Sequence, residues 1–292
     1  MDESLKVGVI GVGNMGGAMA ARLRSLGHAV VVRDIRPAAE AALVPLGARV
    51  SASPAEVARQ ADFIVIAVVD AAQNEAVCFG EWQALAAALT PRHTVVLTST
   101  IAPEDVAALA ARIAATGAAV IDAPVSGGPQ RARDGTMSMM VAASDADFAR
   151  ARVLLAALSG AVFRVGAAPG QGAAMKLANN MLAAVNLAAA GEACALAARA
   201  GLDLAMVSKV VNASSGQSWI FSDRMARRLA GDAAPRAHLS LLAKDSALAV
   251  AYATATGVRA ELGTLAAQAF ARAAAAGLAD HDDSAMLDPD AT

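Results

Sequence analysis

The apolar run Val7-Gly8-Val9-Ile10 passes directly into Gly11-Val12-Gly13-Asn14-Met15-Gly16, and an amphipathic stretch with Met15, Met19, Leu23 and Leu26 follows. A strand, a glycine turn and a helix in that order make the first unit of a βαβ sheet, and this context gives the glycine spacing its meaning. Gly11 suits the tight turn. Gly13 lets the backbone approach a pyrophosphate, and Gly16 lets the helix pack closely on its strand. The N–H groups at the helix start are then turned towards the anion.

The turn as a whole, Asn14 and Met15 included, is therefore a candidate dinucleotide site. Asp34 ends the next strand, where a carboxylate bonds the adenosine ribose hydroxyls and repels a 2′-phosphate, so NAD is the expected cofactor. Arg33 and Arg36 flank Asp34 and keep NADP open as the alternative. In open α/β sheets ligands lie beyond the carboxyl ends of the strands. Val69 and Thr100 follow two such ends and are candidates for the nicotinamide half of the cofactor.

Up to about Val165 the chain alternates β-branched runs with alanine-rich helical stretches. The runs are Val7–Ile10, Ala29–Val32, Phe63–Val68, Thr94–Leu97, Ala119–Ile121, Ser138–Val141 and Ala161–Val165. This pattern predicts an α/β fold, a doubly wound, mostly parallel sheet of the Rossmann type. From Gly170 no strand pattern remains. Gly170–Ala200 reads as one helix, about 45 Å long at 1.5 Å per residue. Helical segments near Leu204–Asn212, Asp223–Leu229, Leu239–Thr256 and Arg259–Ala276 come after it. The expected organisation is a dinucleotide-binding domain over residues 1–166 and an all-α domain for substrate binding and dimerisation over 167–292, joined by the long helix at Ala167-Ala168-Pro169-Gly170.

Alanine supplies much of the 57% hydrophobic content, and the aromatic share is only 3%. The most apolar stretch is interrupted by Asn186 and Glu192, so a buried helix is expected and no membrane partner. A net charge of −2 with few aromatics gives no basis for nucleic-acid binding. No secretion signal opens the sequence, which points to the cytoplasm. Cys78 and Cys194 stand alone, as inert core thiols rather than a disulfide or a metal site. The abundance of apolar helix predicts a homodimer or homotetramer.

Asp122-Ala123-Pro124-Val125 leads into Ser126-Gly127-Gly128, a turn able to present a hydroxyl and successive N–H groups to a carboxylate. Lys176 and Asn180 stand at i and i+4 near the start of the long helix, after Gly170-Gln171-Gly172, whose glycines permit close approach of another element. The alternative is a solvated lysine on the first turns of the helix, an account weakened by the helix dipole, which repels a cation at that end. A lysine there can take the proton of a substrate hydroxyl as hydride leaves the same carbon, with Asn180 holding the hydroxyl or carboxylate. Desolvation and a nearby cation, for which Lys244 is the candidate, would bring its pKa nearer the working pH. None of His28, His93, His238 and His281 has an acidic partner at a telling spacing, which disfavours histidine chemistry.

With these residues in view the chain resembles the β-hydroxyacid dehydrogenases. The likeness runs through the glycine turn with Met15, Ser99-Thr100-Ile101-Ala102-Pro103, Asp122 to Gly128, Gly135-Thr136-Met137, Gly170 to Asn180 and Lys244-Asp245. It implies hydride transfer between NAD(P) and a small hydroxy acid, with Lys176 as acid/base, with Asn180 and Ser126-Gly127-Gly128 holding the substrate, and with Lys244 near both cofactor and substrate. Within the family, Val68 to Gln73, Asn212 to Phe221, Leu229 to Asp232 and Asp282 to Ala285 are similar to the L-threonate dehydrogenase branch. That branch oxidises the C2 hydroxyl of a four-carbon sugar acid. Ser214, Ser215, Gln217 and Ser218 are either extra polar groups for such a substrate or a helix-capping turn. Asp70 and Arg131 depart from the asparagine of the branch and the glycine of the wider family. A 3-hydroxyisobutyrate dehydrogenase, a tartronate semialdehyde reductase and, outside enzymes, a nucleotide-sensing scaffold are the alternatives.

Overall fold

The computed structural model of the chain describes residues 4–232 and 234–288. Two compact units divide it, one ending at Lys176 and one beginning at Leu177. The strands of the first unit are β1 (Lys6–Ile10), β2 (Ala29–Arg33), β3 (Arg49–Val50), β4 (Phe63–Ile66), β5 (Thr94–Leu97), β6 (Ala119–Asp122), β7 (Val125–Ser126), β8 (Ser138–Ala142) and β9 (Ala161–Gly166). Its helices are α1 (Asn14–Ser25), α2 (Pro37–Ala41), α3 (Pro54–Gln60), α4 (Ala71–Phe79), α5 (Pro103–Ala114), α6 (Gly128–Asp134) and α7 (Asp145–Leu158).

Strands β3, β2, β1, β4, β5 and β6 lie side by side in that order, all parallel. The order reverses between β1 and β4, and at such a switch point the loops at the carboxyl ends diverge to leave a crevice. Beyond β6 the sheet changes direction: β8 runs antiparallel to β6, with Asp122 opposite Ala142, while β7 and β9 pair with β8. All seven expected strands are present. The further two, β3 and β7, have two residues each, too few to show a period in the sequence.

Alternation along the strands feeds two apolar layers. Val7 and Val9 pack with Met19 and Leu23 of α1 and Leu154 and Leu155 of α7. Ile10, Ile64 and Ile66 pack with Val57 of α3 and Ile113 of α5 on the opposite face. A parallel sheet is covered on both faces in this way, and so its strands read as apolar runs. The strand expected over Phe63–Val68 stops at Ile66.

The helix α8 (Gln171–Arg199) is unbroken and matches the expected span to within a residue at each end. The second unit adds α9 (Leu204–Asn212), α10 (Trp219–Leu229), α11 (Leu239–Ala255) and α12 (Glu261–Ala273). By length and composition α8 is apolar enough to cross a membrane. Its Ala184, Leu187 and Cys194 instead join Phe221, Met225, Leu239, Phe270 and Leu287 in the core of the helical unit.

A buried ionic clasp fastens the short turn Asp283–Leu287 to α10. Arg227 reaches both oxygens of Asp282 at 3.0 and 2.9 Å, and Arg224 reaches both oxygens of Asp283 at 2.6 and 2.8 Å. Burial alone would raise the Asp282 carboxyl. The Arg227 pair and the N–H groups of Ser284 and Ala237 outweigh it and hold the group far below the usual carboxylate range. Removing one partner strands a buried charge, so Arg227→Ala should cost about 3–5 kcal/mol. Denaturant unfolding at neutral pH measures this, and a loss under about 1 kcal/mol, the level of an exposed pair, would contradict the clasp.

Candidate active-site residues

The chain leaves β1 at Ile10, turns at Gly11 with φ +86°, and enters α1 at Asn14. The Gly11 N–H donates to the carbonyl of Arg33 at 2.9 Å. A side chain at Gly11 would meet the carbonyl oxygen of Ala67 at 2.6 Å, and a Cβ at Gly16 would stand 1.9 Å from the carbonyl oxygen of Gly11. Gly13 has open space but for the guanidinium of Arg36 at 3.1 Å. It caps α1 without a side chain, and no acidic residue lies in the first helical turn. The turn thus fits a dinucleotide: the backbone is bare at Gly13, and no side chain of the cap competes for the N–H groups that a pyrophosphate needs.

Asp34 is buried beside this turn. Its Oδ2 accepts from the Val12 N–H at 2.7 Å, and Oδ1 accepts from the Arg36 N–H at 2.9 Å and more loosely from Arg36 Nε at 3.4 Å. Parallel strands bring Val69 and Thr100 to the same edge of the sheet as Gly11 and Asp34. Val69 is 46% exposed there, and its N–H donates to Oε1 of Gln73. Asp70 caps α4 by accepting from Gln73 N, an ordinary helix start.

Asp122 ends β6 and is 1% exposed. One of its oxygens, Oδ2, accepts from the N–H groups of Gly170, Gly172 and Ala173 at 2.8, 2.9 and 3.2 Å. These are donors at the start of α8, which no intrahelical carbonyl serves. A Cβ at Gly172 would collide with Asp122 Oδ1 at 2.8 Å and with the carbonyl oxygen of Met140 at 2.7 Å. Gly172 therefore makes room for β6 and β8, and Gly170, where a Cβ would stand 2.8 Å from the Pro103 carbonyl oxygen, for the start of α5. Burial pushes the Asp122 carboxyl up to about 6, against the pull of the three N–H groups. Lys176 follows on α8 and is only 8% exposed. After Asp122 comes the Ser126-Gly127-Gly128 turn, with φ +127° at Gly127 and +76° at Gly128. The positive φ at both positions suits glycine, and Gly128 faces open space between β7 and α6. The aliphatic stem of Arg131 packs against Gly127, and its guanidinium donates to the Thr136 carbonyl.

In the helical unit Asn180 is 7% exposed and donates from Nδ2 to Asp245 Oδ2 at 2.7 Å. Its Oδ1 accepts from Asn179 at 3.0 Å. Lys244 Nζ stands 2.8 Å from the other oxygen of Asp245, as a charge contact outside hydrogen-bonding alignment. The structure thus joins Asn180 and Lys244 through a shared carboxylate. Lys244 was expected beside Lys176; its described acidic partner is Asp245. Of the serines that the sequence left undecided, Ser218 caps α10 by accepting from Phe221 N, and Gln217 donates to Ser222, which donates to Asn212. Ser218 is thus a capping residue.

Three acids were missed as site-builders: Glu40, Asp122 and Asp245. Asp122 and Asp245 sat inside recognised segments, but their partners are far away in sequence, and nothing in local spacing reveals such pairs. Glu40 accepts from both Arg33 and the Asp34 N–H, and only its place in the turn after β2 could have pointed to it.

Comparison with known proteins identifies the family. Residues 6–166 match the model of the NAD binding domain of 6-phosphogluconate dehydrogenase, and residues 170–289 that of the NAD-binding domain of NADP-dependent 3-hydroxyisobutyrate dehydrogenase. The chain is 38% identical to an L-threonate dehydrogenase of Cupriavidus necator, over 97% of this chain and 95% of the relative. It is also 38% identical to that of Escherichia coli, over 96% and 93%. A crystal structure described as 3-hydroxyisobutyrate dehydrogenase from Salmonella typhimurium superposes with a TM-score of 0.88 at 38% identity, covering 97% of this chain and 99% of that one. The fold and these relatives therefore define an NAD(P)-dependent oxidoreductase acting on hydroxy acids. The chain belongs to the β-hydroxyacid dehydrogenases of the 3-hydroxyisobutyrate dehydrogenase type, on the side of the L-threonate dehydrogenases.

Asp122 carries a pH signature. The folded chain keeps its proton up to about pH 6, whereas an unfolded aspartate releases it near about 4. Between those values the native state binds more protons, so its stability falls as pH rises, by about 3 kcal/mol across the window. Asp122→Asn should remove this contribution. Unfolding free energies at both ends of the window measure it, and a variant with the pH dependence of the parent would contradict the assignment.

Proposed function

We propose that the chain oxidises the C2 hydroxyl of a four-carbon sugar acid such as L-threonate, with NAD as cofactor and Lys176 as acid/base. The observation that carries this reading is the buried Lys176, held on a helix whose first N–H groups are tied to Asp122. The substrate class is supported by the relatives from Cupriavidus necator and Escherichia coli named L-threonate dehydrogenases. The Salmonella structure, named for 3-hydroxyisobutyrate, favours that smaller acid as the second reading.

In the proposed division of labour residues 1–166 bind the dinucleotide, and 167–292 serve substrate binding and assembly. Gly11, Gly13, Asn14, Met15 and Gly16 take the pyrophosphate, Asp34 the adenosine ribose, and Val69 and Thr100 the nicotinamide half. Bound NAD supplies the hydride acceptor. The Ser126 hydroxyl and the backbone N–H groups of Gly127 and Gly128 hold the substrate carboxylate. Lys176 takes the proton of the C2 hydroxyl as the carbon is oxidised, and returns it in reduction. Asn180 holds the substrate, its amide fixed by Asp245, and Lys244 offers a cation to cofactor or substrate. Cys78 and Cys194, free and buried, suit a cytoplasmic enzyme. Exposed Leu182 and Leu196 on α8 and Leu262 and Leu265 on α12 support a homodimer or homotetramer.

Turnover of threonate, erythronate, glycerate, 3-hydroxyisobutyrate and serine with NAD and NADP tests the substrate assignment: L-threonate should give the highest kcat/KM, and a preference for 3-hydroxyisobutyrate would replace it. Lys176→Ala should lower kcat by a factor of about 100 or more while NAD affinity stays within about twofold. A fall of less than about tenfold would remove Lys176 from the chemistry.

A further inference from the structure

The turn after β2 holds an acid that neither the glycine motif nor the substrate residues use. Glu40, in α2, is 6% exposed. Its Oε1 accepts from the Asp34 N–H at 2.8 Å and from Arg33 Nη1 at 3.0 Å. One carboxylate oxygen thereby fixes the backbone of the acid that closes the glycine turn and neutralises the arginine before it. Arg33 is about one quarter exposed, at 26%, and stands at the carboxyl edge of the sheet, where a ribose phosphate would lie. Arg36 is engaged differently: it pairs with Asp34 and remains 64% exposed.

We infer that Glu40 is a positioning residue for cofactor selection, holding Asp34 towards the ribose and withholding Arg33 from a 2′-phosphate. The inference rests on the cofactor site proposed above. A guanidinium already paired to a buried carboxylate offers little net charge to a second anion. Its release would add a bidentate donor suited to phosphate. On this account the choice between NAD and NADP depends on three residues, Arg33, Asp34 and Glu40, and not on Asp34 alone.

Glu40→Gln keeps an acceptor for the Asp34 N–H and removes the charge that holds Arg33. It should lower KM for NADP by about tenfold, the worth of one added charge-assisted contact, with kcat for either cofactor within about twofold. Calorimetry with the fragments AMP and adenosine 2′,5′-bisphosphate reads the same change without turnover, as tighter binding of the bisphosphate alone. Adding Arg33→Ala should abolish the gain. Glu40→Ala, which also drops the acceptor for Asp34, serves as a second variant and should show the same gain for the bisphosphate with weaker AMP binding. Parent-like discrimination in a folded variant that still binds AMP overturns the inference and leaves the cofactor site standing. If the parent protein binds neither AMP nor NAD, the cofactor site itself fails and the inference with it.

Discussion

The carboxylate of Asp122 is the contact on which the candidate active site depends. Its Oδ2 gathers three N–H groups from the start of α8, and that helix bears both Lys176 and Asn180. A helix start repels a lysine and attracts an anion. Asp122 supplies that anion at the start of α8, and its burial keeps the charge costly enough to lift its pKa to about 6. Gly172 makes the contact possible, since any larger residue would strike both Asp122 and Met140. The end of a strand thereby fixes the beginning of a helix.

A similar device shapes the cofactor turn. Asp34 accepts from Val12 within the glycine turn, while Glu40 accepts from Asp34, so two buried acids in series hold the turn closed around open backbone at Gly13. In the helical unit Asp245 takes the corresponding part, orienting the amide of Asn180 and drawing in Lys244. Glu40 and Asp245 thus each hold a residue proposed to meet a ligand, Asp34 and Asn180.

These acids mark the limit of what the sequence discloses. The sheet was legible because parallel strands are buried on both faces and so read as short β-branched runs. The long α8 was legible because alanine and leucine dominate from Gln171 to Arg199 and no proline interrupts them. Lys176, Asn180 and the glycine turns stand out from local spacing as candidates. The partners of Asn180 and Gly172 do not, because Asp245 and Asp122 lie 65 and 50 positions away and only the folded chain joins them. Helix α10 begins at Trp219, four residues before the Asp223 at which the sequence pattern starts it. Ser218 is its cap, and the sequence left that serine undecided between substrate and helix.

The central claim is that one side chain, Lys176, accepts the proton in oxidation and donates it in reduction. The most direct measurement is the pH dependence of kcat/KM in both directions for the parent protein and Lys176→Met. The account predicts that oxidation of the hydroxy acid quickens and reduction of the oxo acid slows as pH rises through the same ionisation, and that this ionisation disappears from both profiles in the variant. An ionisation that persists unchanged in Lys176→Met would contradict it.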